Sequence, residues 1–160
     1  MKSISLRVNG RLYNIEVRDN DRLLEVLRDV LGFKSVKMGC GVGDCGLCIV
    51  LMDGRPVNSC LVLAARSDGS EILTVEGLGG EKELHPLQQA FIDVGASQCG
   101  YCIPAALLVS YSLQVGKRNP SSEEVRRALR SVLCRCGSYL RFEEALKVAG
   151  RDERGDSEKV

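Results

Sequence analysis

The chain has 160 residues, 44% of them apolar and 27% charged, with a net charge of +1. That is room for one domain or two small ones with a real core. It excludes a disordered acidic chain, gives no electrostatic footprint for nucleic acid, and with three Phe, four Tyr and no Trp offers no base-stacking platform.

The segment MKSISLRVNGRLYNIEV has no apolar h-region and no small-residue cleavage site. No run of about 18 apolar residues exists to span a membrane. These features predict a cytoplasmic location, where thiols stay reduced and clustered cysteines are metal ligands rather than disulfides. Residues 3–18 alternate, with Ile4, Leu6 and Val8 on one face and Tyr13, Ile15 and Val17 on another, around Asn9-Gly10. That pattern predicts a β-hairpin. A helix capped by Asn20 or Asp21 follows, with a stripe of Leu23, Leu24, Leu27, Val30 and Leu31 and a terminating Gly32. Residues 38–48 form a Gly/Cys loop without periodicity. A second hairpin is expected at 49–52 and 55–60 around Asp53-Gly54, and a last strand at 71–76.

Residues 78–84 read as a linker, rich in Gly and charge. Beyond it the period becomes helical. Helices are expected at 86–95, at 104–115 with Pro104 at its first position, at 122–133 behind a Ser121/Glu124 capping box, and at 141–149 up to Gly150. Residues 151–160 read as a frayed tail. The fold class is α+β: a mostly β unit over 1–77, then a four-helix unit over 85–150.

The eight cysteines fall into two quartets. Cys40-x4-Cys45-x2-Cys48, then eleven residues and Cys60, has the plant-type [2Fe–2S] spacing. Gly39, Gly41, Gly43 and Gly46 suit a loop whose backbone must approach a cluster closely. Zinc ribbons favour paired C-x2-C knuckles, whereas three ligands crowd this one nine-residue loop. The second quartet is Cys99-x2-Cys102 with Cys134-x-Cys136, each pair just ahead of an expected helix whose N-terminal amides favour thiolate. Its spacing alone suits one zinc ion as well as a cluster.

The segments CGVGDCGLC, VNSCL, LHPLQQAF, QCGYCIPA and LCRCGSY together resemble the small two-cluster iron–sulfur subunit of the molybdenum hydroxylases, the xanthine oxidase, aldehyde oxidoreductase and carbon monoxide dehydrogenase family. The resemblance covers about residues 3–150. It implies a β-grasp ferredoxin-like domain followed by a helical [2Fe–2S]-binding domain. Cys40, Cys45, Cys48 and Cys60 would ligate the first cluster, and Cys99, Cys102, Cys134 and Cys136 the second. It further implies that Gln98 and Cys136 lie beside the molybdopterin of a large partner subunit, and that a medium partner subunit carries FAD. The assembly implied is a hetero-oligomer such as a dimer of heterotrimers.

Three departures from the family pattern are Ala105 in Cys102-Ile103-Pro104-Ala105, Gly137-Ser138 after the C-R-C, and Asp44 in the first loop. If position 138 needs a positive φ, serine there costs on the order of 1–2 kcal/mol, unless Gly137 takes the role by a one-residue shift.

His85, ahead of Pro86, is expected to cap or pack rather than ligate. Arg135 is expected to form a salt bridge or tune cluster charge, and Tyr101 and Tyr139 to shield the second site. Arg126, Arg127 and Arg130 are expected on a solvated face, with a subunit contact as the alternative. The function implied is electron transfer from molybdenum through two clusters to FAD, as one subunit of an oxidoreductase. A free-standing two-cluster ferredoxin and a structural zinc module are the alternatives.

Overall fold

The computed structural model describes residues 1–80, 83–117 and 119–152, with the last two residues as backbone only. Strands β1 (Lys2–Val8) and β2 (Arg11–Val17) form the first hairpin, and β3 (Ile49–Met52) and β4 (Arg55–Asn58) the second. Asn9 and Asp53 both sit at φ 51°, each followed by a glycine at positive φ, the backbone of type I′ turns whose twist matches that of the strands. Strand β5 (Glu71–Leu73) runs parallel to β1 and antiparallel to β3, giving the sheet order β2-β1-β5-β3-β4.

The expected first helix takes a different shape. Asp21 does not cap it: its carboxylate accepts the Arg18 backbone N–H at 2.8 Å and Arg18 Nε at 2.9 Å. Helix α1 (Leu23–Glu25) begins two residues later and widens at once into a π turn over Val26–Val30, closed by Leu31 N–H donating to Val26 O at 2.9 Å. The wider turn rotates the stripe. Val26 is buried, while Val30, expected in the core, is 66% exposed.

Strand β3 explains how the two halves join. Val50 faces a core shared with Ile4, Leu6, Val8, Leu23, Leu27 and Ile72. Ile49 and Leu51 face the opposite way, into a core shared with the helices. Side chains alternate across a strand, so β3 is buried on both sides. Cys45 and Leu47 of the Gly/Cys loop join that second core. The last expected strand stops at Leu73 and gives way to a 3-10 turn, Val75–Gly77. Of the expected linker, Glu81 and Lys82 lie outside the described residues.

The helices are α2 (Pro86–Asp93), α3 (Ile103–Gly116), α4 (Ser122–Leu129) and α5 (Tyr139–Asp152). His85 caps α2: its Nδ1 accepts the Leu87 N–H at 3.1 Å, and its ring packs edge-on to Tyr111. Pro104 is the second helical residue of α3, not the first. The capping box of α4 is present, with Glu124 N–H donating to Ser121 Oγ and Ser121 N–H to Glu124 Oε2. Helix α4 ends four residues short of expectation, because Leu133 N–H donates to Cys45 O at 2.8 Å instead of continuing the helix. Helix α5 runs through Gly150 to Asp152, so the tail does not begin at 151; residues 153–160 lie outside the described residues.

Phe142 is fully buried on α5, with its ring stacked on Phe91 of α2 at 5.4 Å. Helices α4 and α5 are also tied by a buried carboxylate. Glu143 is 5% exposed and accepts hydrogen bonds from Arg126 Nε and Lys147 Nζ, both at 2.8 Å. Lys147 and Arg126 hold its carboxyl at about 2, below the ordinary 4.5. A depressed carboxylate stabilises the fold above its ordinary value and loses that contribution as pH falls toward the folded one. Wild type should therefore exceed Glu143→Gln by about 1–2 kcal/mol at neutral pH, after allowing for the exposed partners. The difference should shrink toward zero as pH falls from 4.5 to about 2. Urea unfolding at a series of pH values measures it; a constant difference contradicts the assignment.

Candidate metal centres

The loop that follows the π turn winds around the Cys40 sulfur. Backbone N–H groups of Val42, Asp44 and Cys45 donate to Cys40 Sγ at 3.4, 3.3 and 3.3 Å, and Cys40 N–H donates to Cys45 Sγ at 3.3 Å. The amides of Val42 and Cys45 bring the Cys40 thiol down to about 6, since donors to sulfur favour the anion. A Cβ on Gly39 would lie 2.7 Å from Cys45 Sγ and 2.8 Å from Leu47 Cδ1, so a side chain there would push on both.

Cys48 ends the loop at the start of β3. Cys60 sits in the 3-10 turn Ser59–Leu61 after β4. Ser59 clamps the two segments, its N–H and Oγ both donating to Cys48 O, at 3.3 and 2.7 Å. Asn58 Nδ2 donates to Gly43 O at 3.1 Å, and Arg22 donates to Gly41 O at 3.0 Å. Burial, then the neighbouring Cys48 thiol, pushes Cys60 up to about 11.

The second quartet is built from two turns. Cys99 lies in the turn after α2 and Cys102 is the N-cap of α3; Cys134 and Cys136 lie between α4 and α5. Tyr139 holds the latter loop, its hydroxyl accepting the Cys134 N–H at 2.7 Å and donating to Val132 O at 3.1 Å. Ser138 N–H donates to Cys134 Sγ at 3.4 Å. The positive φ falls on Gly137, at 78°, and Ser138 has none. Serine at 138 therefore bears no left-handed strain.

The Gln98 amide donates to Cys136 O and Ser138 Oγ, both at 3.4 Å, tying the two turns together. The Tyr101 N–H, then the Cys136 thiol, lower the Cys99 thiol. Cys134 is also lowered: burial, the largest influence, opposes the shift, but the Ser138 N–H, the Cys102 thiol and the Gly137 and Cys136 N–H groups together outweigh it. The helix start does not lower Cys102. As an N-cap with no side-chain capping bond it gains no helical amide, and burial, then Cys134, pushes it up to about 12.

The thiols pair two and two: Cys40 with Cys45, Cys48 with Cys60, Cys99 with Cys136, and Cys102 with Cys134. Among the described residues no three His, Cys, Asp or Glu close on one ion. Two such pairs in each quartet suit a binuclear centre with two thiolates per iron, and backbone donors aimed at sulfur suit it further. Both donor sets fit a [2Fe–2S] cluster.

Sequence reasoning did not find the roles of Asn58, Arg22 or Tyr139. Nor did it find the contact of Tyr101, expected to shield the second site: its hydroxyl donates to Met38 O at 3.0 Å, across the two halves. Arg126 and Arg127 are engaged, with Glu143 and Glu123 respectively, and Arg135 is exposed.

Comparisons with known proteins agree with the geometry. Residues 6–74 match the 2Fe-2S iron-sulfur cluster binding domain, and residues 74–147 the [2Fe-2S] binding domain. The chain is 40% identical to the nicotinate dehydrogenase small FeS subunit of Eubacterium barkeri, over 92% of this chain and 94% of that one. It is similar in structure to quinoline 2-oxidoreductase from Pseudomonas putida 86, with a TM-score of 0.90 and 37% identity, over 97% of this chain and 98% of that one. It also matches the aldehyde oxidoreductase of Desulfovibrio desulfuricans, with a TM-score of 0.93 and 38% identity, over 99% of this chain but 18% of that longer one. With two cluster-binding modules in tandem and such relatives matched nearly end to end, the chain belongs to the small, two-[2Fe–2S] iron–sulfur subunits of the molybdenum hydroxylases.

Proposed function

We propose that this chain takes electrons from a large molybdopterin-binding subunit and passes them to a medium FAD-binding subunit, in a cytoplasmic hetero-oligomer such as a dimer of heterotrimers. Its family makes it an electron-transfer subunit of an oxidoreductase, working with larger partner subunits. No helix among the described residues is long and apolar enough to cross a membrane. The observation that carries the finer reading is the pair of thiol quartets joined by one backbone hydrogen bond, Leu133 N–H to Cys45 O. The first quartet has an exposed edge at Cys40, the second at Cys99 and Cys136. A conductor needs an internal contact and two outer faces, and this chain has both.

Cys40, Cys45, Cys48 and Cys60 would hold one cluster, and Cys99, Cys102, Cys134 and Cys136 the other. When bound, each cluster supplies reversible one-electron transfer. The chain's residues set the conditions. The Val42, Asp44 and Cys45 amides stabilise negative charge at Cys40, and the Ser138 amide does so at Cys134. Burial of Cys45, Cys48, Cys60, Cys102 and Cys134 keeps water from the inner sulfurs. Gln98 and Cys136 are both exposed, at the rim of the second quartet, and we assign them to the molybdopterin side. The two modules divide in the segment 78–84, in keeping with a sheet that ends at Leu73 and helices that begin at Pro86.

Native purification tests this reading. The chain should emerge in a larger complex containing molybdenum and FAD, with two irons and two acid-labile sulfides for each of the two matched domains. Stoichiometric zinc in protein matured with iron overturns it, as does a monomer with its own oxidase activity. In the same preparation Gln98→Ala should keep both EPR signals. It should lower molybdenum content or slow substrate-driven cluster reduction several-fold, the loss expected from a hydrogen bond of about 0.5–1.5 kcal/mol. Wild-type values for both remove Gln98 from the molybdopterin contact.

A further inference from the structure

The contact between the quartets is closer than a hydrogen bond alone requires. Gly46, next to Cys45, sits at φ +66°. A Cβ there would lie 1.7 Å from Ser131 O, 2.8 Å from Ser131 C and 3.2 Å from Val132 Cα. All three are backbone atoms, which cannot rotate aside. The other loop glycines differ: a Cβ on Gly39, Gly41 or Gly43 would meet the side chains of Cys45 and Leu47, Arg22 or Leu61. Gly46 alone of these abuts the backbone that leads into Cys134.

Around it the halves are already locked. Cys45 and Leu47 are buried in the helical core, and Tyr101 Oη donates to Met38 O at 3.0 Å.

We infer that Gly46 is a positioning residue that sets the separation of the two cluster sites, its missing side chain bringing Cys45 within one backbone hydrogen bond of the residue before Cys134. The inference rests on the reading that each quartet holds a [2Fe–2S] cluster. Transfer between them oxidises one cluster and reduces the other by one electron, with no bond made or broken and no proton moved. Besides the amides it aims at the sulfurs, the polypeptide acts on such a transfer through the gap it sets. A side chain at position 46 must displace residues 131–132, and that displacement opens the Leu133–Cys45 hydrogen bond.

The test uses the complete complex carrying Gly46→Ala or Gly46→Asn. Asparagine tolerates a left-handed backbone but still has a Cβ, so it separates space from conformation. Two readouts are taken: hydrogen exchange at the Leu133 amide, and the magnetic splitting between the two reduced clusters in low-temperature EPR. Both variants should keep the iron content and both signals, exchange faster at Leu133, and show a smaller splitting. Wild-type behaviour of the asparagine variant overturns the inference, since glycine then serves φ alone. Unchanged exchange and splitting in both variants overturn it too, as does failure of both to fold, which makes the contact a requirement for folding rather than a spacer. Absence of two [2Fe–2S] signals in wild type sinks the cluster reading instead, while Leu133 exchange, which needs no cluster, still reports on Gly46.

Discussion

Cys45→Ser should abolish the ferredoxin-type [2Fe–2S] EPR signal and leave the second signal in place, and Cys134→Ser should do the reverse. The thiols pair only within their own quartets, Cys45 with Cys40 and Cys134 with Cys102. Each substitution removes one sulfur that two irons depend on, so the effect is loss of a centre rather than a shift in its properties. Serine is close to cysteine in shape, and the hydrogen bond joining the halves uses the Cys45 carbonyl, which the substitution leaves in place. The shared core should therefore survive. Iron analysis should show half the metal gone in each variant. Loss of both signals from one substitution, in protein that remains folded, argues against two separate centres.

Phe142→Ala should be the most destabilising single change in the helical half. The ring is fully buried, stacks on Phe91 at 5.4 Å and meets Tyr139 edge-on at 6.0 Å. Emptying such a site costs about 3–5 kcal/mol, and in a chain of this size that lowers the melting temperature by on the order of 10 °C. Tyr139 also holds the Cys134 amide, so the helical-half EPR signal should disappear on heating before the ferredoxin-type signal does. Ile92→Ala, at a position 61% exposed, serves as the control and should stay within about 0.5 kcal/mol of wild type. A Phe142→Ala melting temperature equal to the control's contradicts the packing account.

Where local chemistry decides, the sequence is legible. Asn9-Gly10 and Asp53-Gly54 specify hairpins through backbone preference alone. Ser121 and Glu124 carry their capping box within four residues. The run Cys40-x4-Cys45-x2-Cys48 marks the first loop by a local spacing, whereas the Cys99/Cys102 and Cys134/Cys136 pairs, 32 positions apart, took their joint reading from the family resemblance. What escapes is what tertiary contact decides. Asp21 prefers Arg18 to the helix it was expected to cap. Helix α4 stops early because an amide near its end finds Cys45. The run Ile49-Val50-Leu51 reads as any short buried strand, and its burial on both faces follows only from what packs on each side. The pKa direction at Cys102 likewise depends on burial, which overrides its place at a helix start.

The π turn at Val26–Val30 carries an evolutionary consequence. A π turn is an α turn with one residue more than it needs, and so holds slack in the chain. Deleting a residue there returns the segment to ordinary helix and swings the position of Val30, now 66% exposed, back toward the core. Leu23 and Leu24 precede the turn and keep their places. The stretch between the first hairpin and the cysteine loop can thus change length by one residue without altering the strands or the ligand spacing.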